Sequence, residues 1–273
     1  TNASYTIQAI DTGATITLTI SFTDNDGFSE SITSNTLSII DTVSNISPNI
    51  LLIIADDMGV DSSAQYDYST DIPTTPTLDA LANEGIVFDN MWATPKCTTT
   101  RATIITGQHG VSSGVDYVPA TLPTDTQTLP RYLQTDTNSA QYSDAVIGKW
   151  HLAGGRPDLN HPNDSGVSYY AGHMGADFDD YYSWPLVING VEETSNVYHT
   201  TKVTDLAIDW IEDQTQPWLL WLAYAAPHSP WHLPPSDLHT RDTLTGTTDD
   251  LSSNSREYYL AAIEAMDSEI ARL

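Results

Sequence analysis

Cysteine, basic residues and long apolar runs are all scarce in this chain. Its only cysteine is Cys97, so no internal disulfide framework can stabilise it. Nine Lys and Arg stand against 36 Asp and Glu, which gives a formal charge of −27, and the first basic residue is Lys96. A field of that sign repels nucleic acid and anionic membrane surfaces, which excludes nucleic-acid binding as a function. No apolar run approaches the roughly 18 residues that a membrane helix needs, so no transmembrane segment is predicted.

The same composition suits saline or Ca²⁺-rich surroundings, because cations screen the repulsion and fill carboxylate sites. Abundant Thr, Ser and Asp with little Lys favour a secreted, cell-surface or periplasmic bacterial protein. The chain opens at Thr1 without Met, in a strand-like pattern, and stops at Leu273 in a helical one. We interpret it as part of a longer protein, in which case the lack of a signal peptide says nothing about location.

Residues 1–47 differ in pattern from the rest of the chain. Apolar and polar residues alternate on both sides of "DNDG", which predicts a hairpin between β-branched strands. The stretch "ATITLTISFTDNDGFSESITS" resembles part of a bacterial immunoglobulin-like repeat of large secreted adhesins, although an ordinary β-meander would show the same pattern. The polar segment "DTVSNISPN" predicts a linker. The expected organisation is a short β-sandwich fragment with its linker over 1–47, and a second domain over 48–273.

Residues 48–273 alternate strand and helix patterns. Apolar runs in "NILLIIADDMG", "SDAVIGKWHL" and "PWLLWLAYAAPH" predict buried parallel strands, and "IVFDNMW" predicts a further short one. Helical spacing appears in "TPTLDALANEG", "TKVTDLAIDWIED" and "SREYYLAAIEAMDSEIARL". This order predicts an α/β fold with a mostly parallel sheet and helices on both faces. Ligands of such sheets bind outside the carboxyl ends of the strands.

Acidic side chains and the single thiol mark two of the candidate positions. Asp56 and Asp57 end a buried strand, where adjacent carboxylates favour a divalent cation, although one of them could simply cap the next turn. Cys97 opens the short helix predicted in "CTTTRATIITG", where free amides favour an anion. Arg101 lies one turn later and offers a fork for an oxyanion, although a surface Arg beside an incidental Cys would look alike.

Three further basic groups follow predicted strands. Lys149 and His151 alternate after one strand, and His228 leaves the next. A single His in such a loop is more often structural than catalytic. Chance is a poorer explanation for the whole set, because all seven residues lie at predicted strand ends or at a helix start. The set contains two His, a Lys, an Arg, two Asp and the sole Cys. Together they predict cation-assisted attack on a tetrahedral anion.

Five motifs in this order resemble the type I sulfatases of the alkaline-phosphatase-like superfamily, over residues 49–273. They are "NILLIIADDMG", "CTTTRATIITG", "GKWHL", "APHSP" and "YYLAAIEAMDSEIARL". Within the family, "GKWHL" and "AGHMGADFDDYYSW" are most similar to the arylsulfatase A/B-like branch. The resemblance implies an alkaline-phosphatase-like fold, of which this chain is the N-terminal part. It also implies a sulfated glycan or an aryl sulfate ester as substrate.

The resemblance also implies roles for the candidate residues. Cys97 would be oxidised to formylglycine by a formylglycine-generating enzyme, and its hydrate would be the nucleophile, anchored by Arg101. One Ca²⁺ would be bound by Asp56, Asp57 and residue 97. Lys149 and His151 would hold the diol and the sulfate. His151 would also accept a proton as the sulfated intermediate collapses. His228 would contact the sulfate and assist the leaving alcohol.

Two departures from the family pattern leave alternatives open. Thr99 stands where the family has Pro or Ala, a position that the modifying enzymes read. The family's second pair of metal ligands and a further sulfate-binding Lys would follow Leu273, so this stretch alone is expected to bind Ca²⁺ poorly and to be inactive. The alternatives are a phosphate or phosphonate ester hydrolase using Thr98 or unmodified Cys97, and a degenerate, non-catalytic glycan-binding domain of an adhesin.

Overall fold

A computed structural model describes residues 15–17, 19–23, 26–33, 37–38, 47–136, 142–155 and 157–273. The chain divides into two compact units, Thr1–Pro48 and Asn49–Leu273. None of the described helices is long and apolar enough to cross a lipid bilayer.

The first unit contains two antiparallel strand pairs. Strand β1 (Thr15–Ile16) pairs with β4 (Leu37–Ser38), and β2 (Thr19–Thr23) pairs with β3 (Ser29–Thr33). The β2–β3 pair is the hairpin predicted around "DNDG", with Thr23 opposite Ser29. The immunoglobulin-like repeat remains a prediction, because much of 1–47 lies outside the described residues.

The second unit is built on a six-stranded sheet in the order β5-β10-β6-β7-β8-β9. The first four strands are parallel, while β8 and β9 extend the sheet antiparallel beyond β7. The predicted α/β fold with a mostly parallel sheet is therefore confirmed. Its strands are β5 (Ile50–Asp56), β6 (Ser143–Gly148), β7 (Tyr169–Gly172), β8 (Trp184–Ile188), β9 (Val191–Ser195) and β10 (Trp218–Pro227).

Helices cover both faces of this sheet. Leu220 and Leu222 of β10 belong to one apolar cluster, while Trp221 and Ala223, which alternate with them, belong to the other. Strand β10 is therefore buried on both faces, as its continuous apolar run predicts. The helices are α1 (Pro76–Glu84), α2 (Cys97–Thr106), α3 (Gly110–Ser113), α4 (Leu129–Thr135), α5 (His161–Asp164), α6 (His199–Glu212), α7 (Thr248–Ser253) and α8 (Ser255–Ile270).

The strand predicted in "IVFDNMW" is wrong. Residues 86–92 have no strand conformation, and Ile86, Phe88 and Trp92 are exposed. A strand needs a neighbour for its backbone N–H and C=O groups. Strand β5 pairs only with β10 among the described residues, and no strand lies on its other side to receive residues 86–92.

Candidate active site

The carboxyl ends of three adjacent strands form the floor of the candidate site. In the register of the sheet, Asp56 of β5 lies opposite Pro227 of β10, and Ala223 of β10 lies opposite Gly148 of β6. Because the strands are parallel, the residues that follow them emerge at the same edge. This placement brings the "DD", "GKWHL" and "APHSP" motifs to one edge of the sheet.

Gly148 allows the strands to approach one another at this edge. Its φ is 107°, a conformation that other L-residues rarely adopt. A Cβ atom built on Gly148 would lie 2.0 Å from the carbonyl oxygen of Ala223. Only glycine fits there, which explains why Gly148 directly precedes Lys149 in the "GKWHL" motif.

A buried ion cluster forms the base of the site. Asp56 accepts a hydrogen bond from the ammonium of Lys149, and its Oδ1 lies 3.2 Å from Nη2 of Arg101. Arg101 also donates from Nη1 to the Lys149 carbonyl oxygen at 2.7 Å. At most 4% of each of these three side chains is exposed to solvent. Burial alone would raise the pKa of Asp56, but Arg101 and Lys149 outweigh burial and hold it below its usual value.

The cluster carries an excess of positive charge. It contains one carboxylate against two cations. Nε of Arg101 has no hydrogen-bond acceptor among the described residues, and Nη2 has only the 3.2 Å ion pair with Asp56, without hydrogen-bond geometry. Buried donors without acceptors are costly, so this arrangement favours an anionic ligand nearby. Lys149, by contrast, is fully buried and engaged with Asp56.

Cys97 lies beside His151 at the start of α2. The Cys97 Sγ is 3.2 Å from His151 Nδ1, and the Thr98 hydroxyl is 3.2 Å from His151 Nε2. His151 is 2% exposed. Its burial, together with Lys149 and Arg101, lowers its pKa to about 4, so the imidazole is neutral near pH 7. A neutral imidazole in this position can accept a proton from a group on residue 97.

Hydroxyl groups fix the backbone that leads into α2. The Thr94 hydroxyl lies 2.5 Å from that of Thr99 and 2.6 Å from that of Thr100. Thr99 also donates to the Lys96 carbonyl oxygen at 2.9 Å. Thr99 therefore contributes hydrogen bonds to the turn that Pro or Ala at the same position could not make.

Asp57 and His228 lie nearer to solvent. Oδ2 of Asp57 is 3.5 Å from Nε2 of His228, and the Asp57 side chain is 62% exposed. Asp57 has a positive φ of 65°, and its carbonyl oxygen accepts from the hydroxyl of Tyr259 at 3.0 Å. The hydroxyl of Tyr181 donates to the carbonyl oxygen of His228 at 2.7 Å. Two tyrosines thus hold the backbone at these positions.

The structure therefore brings all seven predicted site residues to one edge of the sheet, in three groups. Cys97, Thr98 and His151 adjoin one another, as do Asp56, Lys149 and Arg101, while His228 contacts Asp57. A cavity of about 230 Å³ opens beside them. Four of the site residues line it, together with the neighbouring Lys96; the four are Asp56, Asp57, Cys97 and Arg101.

The described residues do not make a complete Ca²⁺ site. Carboxylates suit Ca²⁺, but the ion takes six to eight oxygen ligands, and both oxygens of Asp56 already face Lys149 and Arg101. Among the described residues, no three His, Cys, Asp or Glu side chains are grouped to hold a metal ion. We therefore assign no chemical step to a metal.

Sequence reasoning missed the side chains that position the others. Tyr181 and Tyr259 donate hydrogen bonds to backbone carbonyl groups far away in the chain, and the Thr94 hydroxyl contacts those of Thr99 and Thr100. No spacing rule predicts such contacts. The contact of Thr98 with His151 joins positions 53 residues apart and depends on the fold.

Comparison with known proteins gives a consistent result. The family model described as Sulfatase matches residues 48–273. Mouse arylsulfatase J is 30% identical over 208 residues, covering 68% of this chain and 33% of its own length. The N-acetylglucosamine-6-O-sulfatase of Bacteroides thetaiotaomicron is 32% identical over 194 residues, covering 70% of this chain and 32% of its own length. The chain thus spans about a third of these curated relatives.

Solved structures show the same fold. Ps i-CgsB superposes with a TM-score of 0.67 at 26% identity, covering 83% of this chain and 54% of its own. The phosphonate monoester hydrolase of Agrobacterium radiobacter superposes with a TM-score of 0.55 at 18% identity, covering 82% of this chain and 58% of its own. The latter similarity concerns the fold alone.

Proposed function

The chain belongs to the sulfatase family. We propose that it is part of a hydrolase that cleaves sulfate esters, with residue 97 as the nucleophile. The observation that carries this proposal is the pairing of Cys97 with a buried, neutral His151 beside an excess of buried positive charge. The neutral His151 can accept a proton from residue 97, and the buried positive charge can stabilise a tetrahedral anion such as sulfate.

In the proposed reaction, Cys97 is first converted to formylglycine by a formylglycine-generating enzyme. The thiol-bearing carbon is oxidised to an aldehyde at the expense of an external oxidant, sulfur leaves, and water adds to give the hydrate. One hydrate oxygen gives up its proton to solvent and attacks the sulfur of the ester, and the S–O bond to the alcohol breaks. His228, which contacts Asp57 at the cavity wall, supplies a proton to the departing alcohol.

The second half-reaction releases sulfate. His151 takes the proton from the remaining hydroxyl of residue 97, the C–O bond to the sulfate breaks, and the aldehyde is regenerated. The low pKa of His151 keeps its ring free to accept that proton near neutral pH. Arg101 lies at the cavity wall with donors to spare, and Lys149 holds Asp56 against it.

In the proposal, Ca²⁺ would be bound by Asp56, Asp57 and residue 97 together with further oxygen donors. The described residues do not supply those donors, so turnover is proposed for the full-length protein. The proposed substrate is a sulfated glycan or an aryl sulfate, supported by relatives named as an arylsulfatase and as an N-acetylglucosamine-6-O-sulfatase. The acidic composition supports a location outside the cytoplasm.

A second candidate is phosphate or phosphonate ester hydrolysis without formylglycine. The observation that favours it is the Thr98 hydroxyl, 3.2 Å from His151 Nε2, which gives His151 an unmodified hydroxyl to activate. Lys149 and His151 in "GKWHL" favour sulfate instead, because this motif is one of the five that resemble sulfatases.

Paired substrates separate these readings. Full-length protein made with a formylglycine-generating enzyme would be assayed on an aryl sulfate and on the matching phosphonate ester, together with Cys97→Ala and Thr98→Val. The proposal predicts faster hydrolysis of the sulfate and loss of that activity in Cys97→Ala. Phosphonate preference that survives Cys97→Ala but not Thr98→Val would support the second candidate. A protein that binds sulfated sugars but cleaves neither ester would indicate a degenerate binding domain.

A further inference from the structure

Lys96 is the residue before the candidate nucleophile and lines the same cavity. It precedes α2 as the N-cap residue, and its side chain is exposed. Its carbonyl oxygen accepts from the hydroxyl of Thr99 at 2.9 Å and from the amide of Thr100 at 3.1 Å. The backbone of Lys96 is therefore fixed, while its ammonium is free to meet a ligand.

The ammonium of Lys96 has no acidic partner in the described part of the chain. Five other basic residues form ion pairs there, and Arg131 donates to backbone carbonyl groups. Of the described basic residues, only Lys96 and Lys202 have no ion pair or hydrogen bond from their side chains. The ion-paired five are Arg101, Lys149, Arg241, Arg256 and Arg272.

This freedom is unusual in a chain with 36 acidic and nine basic residues. An ammonium in such a field would be expected to find a carboxylate. Asp57 lines the same cavity, but its carboxylate faces His228, and no acidic oxygen of the described residues lies within 4.0 Å of the Lys96 ammonium. A positive charge at the cavity wall therefore remains available for an anionic group that enters from solvent.

The reacting sulfate does not need Lys96, because the buried cluster of Asp56, Lys149 and Arg101 already supplies excess positive charge beneath the cavity. We propose that Lys96 binds a second anionic group, a sulfate or carboxylate, on the same or the adjoining sugar. The substrate would then be a multiply anionic saccharide. This inference rests on the proposed function and adds a specificity-determining residue to it.

Binding measured without turnover tests the inference. Monosulfated hexoses would each be compared with the same hexose carrying one further sulfate, beginning with glucosamine 6-sulfate and glucosamine 2-N,6-O-disulfate. Titration calorimetry on the full-length protein, produced without a formylglycine-generating enzyme so that Cys97 stays unmodified, would give both dissociation constants for the wild type, Lys96→Gln and Lys96→Arg. Lys202→Gln removes the same charge from α6, away from the lining of this cavity, and serves as the matched control.

We expect the wild type to bind at least one doubly sulfated sugar roughly 5- to 10-fold more tightly than its partner, as a partly exposed charge-assisted contact allows. Lys96→Gln should lose most of this preference while binding the monosulfated sugar within about twofold of wild type. Lys96→Arg and Lys202→Gln should keep it. Added salt should reduce the preference, because an exposed ion pair is screened.

Three results would overturn the inference. The first is a wild type that does not bind any disulfated sugar more tightly than its partner, absence of binding included. The second is an unchanged preference in Lys96→Gln. The third is an equal loss of both affinities in Lys96→Gln, which would mean that Lys96 contacts the reacting sulfate. A protein that shows the preference but never hydrolyses a sulfate would leave Lys96 in place and contradict the proposed function instead.

Discussion

The candidate site has two layers that differ in how their charges are satisfied. In the inner layer, Asp56, Lys149 and Arg101 are buried and each is fixed by the others. In the outer layer, Asp57 and Lys96 are exposed, and Asp57 has one contact at 3.5 Å with His228. The inner layer therefore sets the local electrostatic field through its mutual contacts, while the outer layer is free to contact a substrate.

The largest expected effect comes from replacing His151, the proposed proton acceptor beside Cys97. His151→Gln keeps a side chain that can hydrogen-bond but cannot accept a proton at neutral pH. We expect kcat for sulfate ester hydrolysis by the full-length protein to fall by roughly 10²- to 10⁴-fold. Steady-state kinetics on an aryl sulfate would measure it.

The matched control for that variant is His239→Gln, since His239 is also buried but makes no contact with the site residues. Activity within about twofold of wild type is expected there. Retention of full activity by His151→Gln would show that His151 is a structural residue and that the proton goes elsewhere.

The second effect sharpens the contrast between the two carboxylates. Asp56→Asn leaves two buried cations without a counter-charge, so the free energy of unfolding should fall by about 3–5 kcal/mol. Asp57→Asn removes an exposed charge and should cost less than about 1 kcal/mol. Denaturant titration followed by tryptophan fluorescence would measure both, because all seven tryptophans lie in residues 49–273. Equal losses for the two variants would remove the distinction between the layers.

The third expected effect is a loss of folding stability in acid. Burial lowers the pKa of His151 to about 4 and that of His199 to about 3. In the unfolded chain these side chains titrate near pH 6.5, so the unfolded state binds more protons below that pH. Stability should therefore be fully present above about pH 6.5 and decline by roughly 2 kcal/mol per buried histidine on acidification to pH 5.

The window of that loss identifies the groups responsible. Asp56 has a lowered pKa, so its contribution is lost only below about pH 4, where its carboxyl group takes up a proton. Urea titrations at several pH values would separate the two ranges. His199→Phe, which removes one buried histidine outside the site, should flatten the upper range. A free energy of unfolding that stays constant from about pH 6.5 to pH 5 would contradict the neutral state of these histidines.

The sequence predicts much of this fold because its central strands are unambiguous. The apolar runs ending at Asp56, Gly148 and Pro227 indicate buried strands, and they are β5, β6 and β10. Burial on both faces is wrong for β5, which lies at the edge of the described sheet with Ile50 and Leu51 exposed. Residues 86–92 show how the same reasoning fails: an apolar run indicates a strand only where a neighbour exists to pair with it. The short strands β7, β8 and β9 were not predicted, because each has only four or five residues and their patterns contain Gly, Pro or acidic residues.

The site was predictable as a set of residues but not as a set of contacts. Strand ends and a helix start indicate which side chains meet, since parallel strands present their carboxyl ends together. They do not indicate that Asp56 binds both cations or that His151 lies between Cys97 and Thr98. Those contacts depend on local backbone conformations such as the positive φ of 54° at His151, which no periodicity encodes.

Mass spectrometry of residue 97 tests the central claim most directly. Full-length protein would be produced with a formylglycine-generating enzyme, digested, and analysed over the peptide that contains Cys97. A Thr99→Pro variant, which restores the family's usual residue within the first turn of α2, serves as the control. Our account predicts a mass lower by about 18 Da at residue 97 in the wild type as well as in the variant, together with the hydrate. An unmodified thiol in the wild type beside full conversion in Thr99→Pro would contradict it.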